Sequence, residues 1–399
     1  MVSRTTPVGV ATIPVPGRRQ TVCRVSSVDD MKRALMFVGA AVVVAISAVT
    51  ACGTGGTPDR ARSLQQALDA VVHTGFPGVQ VVISEHGRDW TASAGVGDVA
   101  TGTRFPDDGY IRIASITKPF VATTVLQLVS EGKADLDAPL DRYLPGIVRG
   151  NGNDGTRVTV RNLLQHTSGL PDYIELPEFR SDIVQAMQLR YETADLVARA
   201  MTMPSHFQPG EKVEYSSTNY LLAGMLVERI TGQPVDSEIT RRIIEPLGLH
   251  HTYYPVAGQR ALRDPHPRGY ALDAGQRIDA TELDPSLGGP AGAIVSTGTD
   301  VNRFFIALLD GKLLPPTLLS EMKQNSVGKQ SQGLGLGHIP VPCGNDVYGH
   351  SGGIPGFETF AAATTTGRAV TVTVNQWPAN DEVEAAVRKV FDTAVCTAP

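Results

Sequence analysis

Cysteine is scarce in this chain: four in 399 residues, none spaced as C-x-x-C, and H-E-x-x-H does not occur. Those absences remove the common zinc-binding spacings, and no metal ion is expected. Charge is thin as well, 19% Asp, Glu, Lys and Arg, with a net −5. Residues 1–51 carry six Lys/Arg against two Asp/Glu, so the remaining body stands at −9. A basic excess is lacking there, which argues against nucleic acid as a partner. There is no internal repeat, and Gly95-Val96-Gly97 lacks the following helix that a dinucleotide fingerprint requires. Long apolar runs are missing except for one near the start. What is present, 42% hydrophobic residues over 399 positions, suffices for one large domain or two medium ones.

The single apolar run follows Met31-Lys32-Arg33, extends from Ala34 to Val49 and ends in Thr50-Ala51-Cys52-Gly53. A charged start, an apolar stretch and small residues before a cleavage point make a secretory signal over residues 31–51. Cys52 directly after the small residues resembles the lipobox of bacterial lipoproteins. That resemblance implies cleavage before Cys52, a lipid on its sulfur and an extracytoplasmic enzyme tethered to the outer face of the cell membrane. The alternative is one transmembrane anchor, for which about 18 apolar residues is marginal. Residues 1–30 lack periodicity and are expected to be a leader or extension, with translation starting at Met31. On this reading Cys23 is lost and Cys52 takes the lipid. Cys343 and Cys396 remain, an even pair in an oxidising compartment, and are expected to form a disulfide.

Residues 52–60 (Cys52 then GTGGTPDR) read as a short tether. Ala61–His73 carries Leu64, Leu68, Val71 and Val72 at helical spacing. Two strand patterns follow, Gly78–Ser84 and Trp90–Ala94. The C-terminal end mirrors them with strands Val347–Gly353, Phe357–Thr364 and Arg368–Asn375, then a helix Asp381–Val395. Residues 115–325 are mostly helical patterns broken by Pro and Gly. Strands from both ends can share one antiparallel sheet, so the expected class is α+β: a sheet flanked by terminal helices, with a mostly helical insertion, over residues 61–398.

Ser115-Ile116-Thr117-Lys118 is S-x-x-K. On a helix, residues three apart share a face, so the Lys amine reaches the Ser oxygen, and a desolvated Lys can act as a neutral base at pH 7. The motif alone is weak: Ser130/Lys133, Ser320/Lys323 and Ser326/Lys329 match it too. Context separates them. Pro119 has no N–H and fits only a first helical turn, while Val121, Val125 and Leu128 continue the stripe. The helix therefore starts near Ser115 and sets its hydroxyl at the positive end.

Two companions stand downstream. Tyr215-Ser216-Ser217 follows a Pro209-Gly210 turn and precedes a helical pattern, Tyr220–Ile230; a Tyr there can act as a general acid or base. His350-Ser351-Gly352-Gly353 ends a strand pattern, where a His, a hydroxyl and two glycines supply a donor, a substrate contact and close backbone approach. H-x-G alone is weak, since His73-Thr74-Gly75 also matches. In order, S-x-x-K, Y-S-x and H-x-G resemble the D-alanyl-D-alanine carboxypeptidase/class C β-lactamase family of serine hydrolases. The segments Leu163–Leu170 (LLQHTSGL), Pro209–Tyr220 and Ala291–Thr297 (AGAIVST) are similar to that family's, and the resemblance spans roughly 61–398. It implies the DD-peptidase/β-lactamase fold, with Ser115 the acylated nucleophile, Lys118 its activating amine and Tyr215 the proton shuttle. His350 would supply positive character nearby. The oxyanion hole would be the N–H groups of Ser115 and Gly353, with Ser217, Ser351, Gly352 and Gly353 contacting substrate. No cofactor is implied, and nothing sets an oligomeric state.

Three departures bear on the substrate. Ser217 stands where the family usually has Asn. Residues 333–342 contain no Arg or Lys, only His338, where similar carboxypeptidases place an Arg for a terminal carboxylate. Gly353 lacks a hydroxyl often found there. These weaken peptide and penicillin recognition more than acyl transfer. A carboxyl-ester or amide hydrolase acting on a small-molecule or peptidoglycan-derived substrate ranks first, a D-alanyl-D-alanine carboxypeptidase second and an efficient β-lactamase third. A non-catalytic penicillin- or peptidoglycan-binding lipoprotein is the non-enzyme alternative. Gly349–Gly353 also matches G-x-S-x-G, but that triad needs a His after the Ser, and none follows His350.

Overall fold

The computed structural model describes residues 57–273, 275–324 and 332–397. The leader, the signal, Cys52 and most of the tether lie outside them, as do Ser326 and Lys329. The first helix, α1, spans Thr57–His73. It begins four residues before the expected Ala61, because Pro58 falls in the first turn, where a missing N–H costs nothing. Residues 57–60 therefore belong to the helix and not to the tether.

Strands β1 (Gly78–Glu85) and β2 (Arg88–Gly95) follow as a hairpin. The remaining strands of the main sheet come from the other end of the chain: β3 (Gly337–His338), β4 (Val347–Ile354), β5 (Phe357–Thr364) and β6 (Arg368–Val374). The order is β2-β1-β6-β5-β4-β3, antiparallel throughout, with β1 joined to β6 in the register Val81↔Val372. The two chain ends thus close one sheet, as the strand patterns require.

Between them run α2 (Thr117–Ser130), α3 (Thr218–Thr231) and α4 (Gly298–Leu309); α5 (Asp381–Cys396) closes the chain. Helices α1 and α5 pack together on one face of the sheet over Val370, Val372 and Val374. Each such side chain contributes roughly 1.5–3 kcal/mol when fully buried. The alternating Thr residues of β6 do not face water. Helix α4 covers them, and Thr371 donates to Asn302 Oδ1 at 2.7 Å. A polar strand face is buried here because the helix laid on it brings its own acceptor.

Cys343 and Cys396 are bonded, tying the loop after β3 to the end of α5. Closing 53 residues of separation constrains the unfolded chain by about 4 kcal/mol in the loop-entropy account. Among the described residues no helix is long and apolar enough to cross a membrane.

Candidate active site

Ser115 sits where sheet and helical region meet. A 3₁₀ turn, Ala114–Ile116, leads directly into α2, with Pro119 in the first helical turn. Ala114 has φ +46°, a left-handed conformation that costs an L-residue of order 1 kcal/mol and is held only by its surroundings. That kink presents Ser115 at the start of the helix. Of the rival S-x-x-K pairs, Ser130 ends α2 while Lys133 pairs with Glu131 in solvent. Ser320 is exposed on a surface helix.

Lys118 is completely buried and lies one turn beyond Ser115. Its Nζ donates to Ser115 Oγ at 3.0 Å and to the Ala291 carbonyl at 2.8 Å. The Ala291–Thr297 segment therefore serves as an anchor, and its Ile294 N–H also donates to Thr117 Oγ1 at 3.0 Å. The Nζ sits 4.9 Å from the centre of the Tyr215 ring and 5.6 Å from that of Tyr220. Burial removes water from the ammonium and lowers its pKa from 10.5 to about 7, against a smaller opposing pull from Asp172. An amine with that pKa can act as a neutral base near neutrality, and Ser115 Oγ is the hydroxyl within its reach.

Tyr215 lies beside Ser115, whose side chain pulls the phenol's pKa down against a larger upward push from desolvation. The residue is 43% exposed, so solvent reaches part of it, yet the protein around its hydroxyl raises the pKa above the usual 10. Desolvation outweighs the other influences on this phenol, which keeps its proton. The same effect corrects the expectation for His350. It lies buried beside the site with its Nδ1 against the Ser351 carbonyl, and burial, then Lys118, lower its pKa to about 4. Its ring is neutral at working pH and supplies no positive charge.

Along β4 the side chains alternate. His350 and Gly352 face inward, and Ser351 opens instead into a separate groove with Glu358, Asp381 and Arg388. The expected Ser351 substrate contact is not made from this cleft. Gly352 allows the strand to pass over Ser115: a Cβ there would lie 2.3 Å from Ile113 O and 2.9 Å from Ser115 N. That close pass brings the next residue, Gly353, and Ser115 into one cleft of about 380 Å3, where two backbone N–H groups can hold an oxyanion.

Three contributors escaped the motif reading. His166 has φ +56° and stacks on Tyr215 with ring centres 4.3 Å apart. Its Nδ1 accepts from the Ser216 N–H at 3.2 Å, and burial keeps it neutral. Asp172, two residues past Leu170, accepts from the Ser217 N–H at 2.9 Å and the Ile174 N–H at 3.2 Å. Its carboxyl is pushed up by burial and lines the cleft beside Ser217. The signal for both lay in the Leu163–Leu170 segment and its continuation. Trp377 is the third, with nothing in sequence to mark it. His338 stays away, facing Asp346 at 3.6 Å on the sheet edge.

A family model described as Beta-lactamase matches residues 62–395. The chain belongs to the β-lactamase family. It shares that family's serine hydrolase character and fold. Esterase EstB of Burkholderia gladioli is 30% identical over 314 residues, covering 69% of this chain and 79% of the esterase. A D-stereospecific amidohydrolase from a Streptomyces species superposes with a TM-score of 0.78 at 37% identity, over 86% of this chain and all of that one. The D-amino acid amidase of Ochrobactrum anthropi SV3, solved with L-phenylalanine amide, gives 0.72 at 29% identity, over 84% of this chain and 98% of the amidase. Among the described residues no cluster of metal-ligating side chains occurs.

A base with a pKa of about 7 sets the pH dependence. Its protonated form, dominant below that value, cannot accept the Ser115 proton. Acylation kcat/KM should fall about tenfold per pH unit below 7 and level off above 8, with no second limb from His350 above pH 5. Stopped-flow acylation with a p-nitrophenyl ester reads this directly; a rate still climbing from pH 8 to 10 would contradict it.

Proposed function

We propose that this β-lactamase-family hydrolase cleaves amide or ester bonds of small substrates whose acyl part carries a free amino group and an apolar side chain in the D configuration. The observation that carries this reading is a half-buried carboxyl group, Asp172, in an otherwise largely apolar cleft that opens on Ser115. Tyr173, Ile174, Phe179, Ile183, Met187 and Leu287 line that cleft and suit a hydrocarbon side chain. A carboxylate kept from water gains most from a substrate ammonium that arrives with its own hydrogen bonds. Likeness to D-stereospecific amidohydrolases supports the stereochemical part.

In the reaction Ser115 Oγ attacks the scissile carbonyl carbon and its proton passes to Lys118 Nζ. The carbonyl oxygen takes the negative charge and is held by the N–H groups of Ser115 and Gly353. Tyr215 gives its proton to the departing amine or alkoxide and recovers one from Lys118. A water molecule then attacks the acyl carbon, its proton passes through Tyr215 and Lys118 to Ser115 Oγ as the ester bond breaks, and the acid departs.

We also propose an extracytoplasmic location, with a lipid on Cys52. The Cys343–Cys396 bond supports it, since disulfides persist in oxidising compartments. Radiolabelled palmitate should enter the protein in cells and be lost in Cys52→Ser; an unlabelled wild-type chain would contradict the anchor.

For the substrate, purified full-length chain should hydrolyse D-phenylalanine amide and methyl ester faster than the L forms, and Ser115→Ala should abolish both activities. Asp172→Asn should raise KM about tenfold to a hundredfold for the free amine, the range of a charge-assisted hydrogen bond, and much less for its N-acetyl derivative. Failure on all these substrates together with a persistent Ser115 adduct from penicillin would favour a penicillin-binding peptidase instead.

A further inference from the structure

The missing hydroxyl at Gly353 has a structural counterpart. Strand β7 (Gln376–Trp377) runs parallel to strand Tyr270–Asp273, with Trp377 opposite Ala271. This places the indole beside Gly353. A Cβ on Gly353 would lie 2.9 Å from Trp377 Nε1 and 3.1 Å from its Cδ1. Any side chain at 353 would have to displace the ring. Trp377 is partly buried and lines the same cleft as Ser115 and Gly353. Its Nε1–H can only donate, and it makes no hydrogen bond with the described residues. At this place the cleft thus presents no side-chain hydroxyl and, beside Gly353, a neutral N–H donor.

We infer that Trp377 is a specificity-determining residue that donates its indole N–H to a neutral amide or ester oxygen on the substrate and disfavours a carboxylate at that place. This rests on the amide- and ester-hydrolase reading above. With the scissile oxygen between the N–H groups of Ser115 and Gly353, the group over Gly353 meets substrate atoms only a few bonds from the reacting carbon. A carboxylate there would be stripped of water and offered one uncharged donor. Residues 333–342 bring no Lys or Arg, and His338 faces Asp346. The remaining cation, Arg180, is exposed and enters the cleft from the helix Pro177–Ser181, a different wall. A neutral carbonyl oxygen keeps one hydrogen bond and buries no charge.

The test uses a matched pair, D-phenylalanyl-glycinamide and D-phenylalanyl-glycine, which differ only in the charge of the leaving side. Wild-type full-length protein should favour the glycinamide in kcat/KM. Trp377→Phe keeps a ring and removes the donor. It should lose about tenfold on the glycinamide, the value of one hydrogen bond, and little on the free acid, so the preference narrows. Gly353→Thr combined with Trp377→Ala should narrow it further. A Trp377→Phe variant that lowers both substrates equally would overturn this inference alone. So would a wild-type preference for the free acid, and its loss in Arg180→Gln would assign recognition to the other wall. No turnover of either substrate beside active hydrolysis of D-phenylalanine amide would overturn this inference alone, and no hydrolysis of any of the three would overturn the hydrolase reading with it.

Discussion

The burial of the Lys118 amine is the constraint on which the rest of the site depends. An ammonium at that position has no carboxylate in hydrogen-bond contact. It has one hydroxyl, one backbone carbonyl and the faces of two tyrosines. Moving its pKa from 10.5 to about 7 corresponds to about 5 kcal/mol in favour of the neutral amine. The same shift burdens folding. The unfolded chain binds the proton more tightly, so the cost is greatest below pH 7 and fades as pH rises toward 10.5. A fold tolerates such a group only if neighbours prevent it from swinging out to water. Helix α2 is buried on most sides, and Phe120 beneath it stacks on Phe304 of α4 with ring centres 3.7 Å apart.

The surrounding groups are consistent with keeping this pocket free of positive charge. His166 and His350 both remain neutral because Lys118 and burial act on them in the same direction. Asp172 pulls the other way, at a distance that tempers the lysine's shift without cancelling it. Its backbone bonds also join the 166–174 stretch to the start of α3, so the groups that tune Lys118 and those that present Tyr215 are one connected unit.

Much of this was legible in the chain itself. Ser115 stood out from three rival motifs because Pro119 permits only a helix start, and the structure has that start. The sheet was legible because strand patterns at both ends need each other. Other features were not. Motif likeness makes Ser351 a substrate contact, whereas period-two alternation, equally present in the sequence, sets it opposite His350 and Gly352. The charge state of His350 depends on total burial, which no spacing encodes. The contact between Gly353 and Trp377 joins residues from two different strands, and only the folded chain brings them together. The polar face of β6 was similarly invisible, because α4 arrives from seventy residues earlier.

Titration of the Lys118 amine in the resting enzyme tests the account most directly. Lysine side chains labelled with carbon-13 at Cε can be followed by NMR from pH 5 to 11, with Lys118 assigned by its loss in Lys118→Met. A midpoint within about a unit of 7 would support a neutral base held by burial. A midpoint near 10.5 would mean that Lys118 is an ordinary charged lysine, and that Ser115 is activated by some other group.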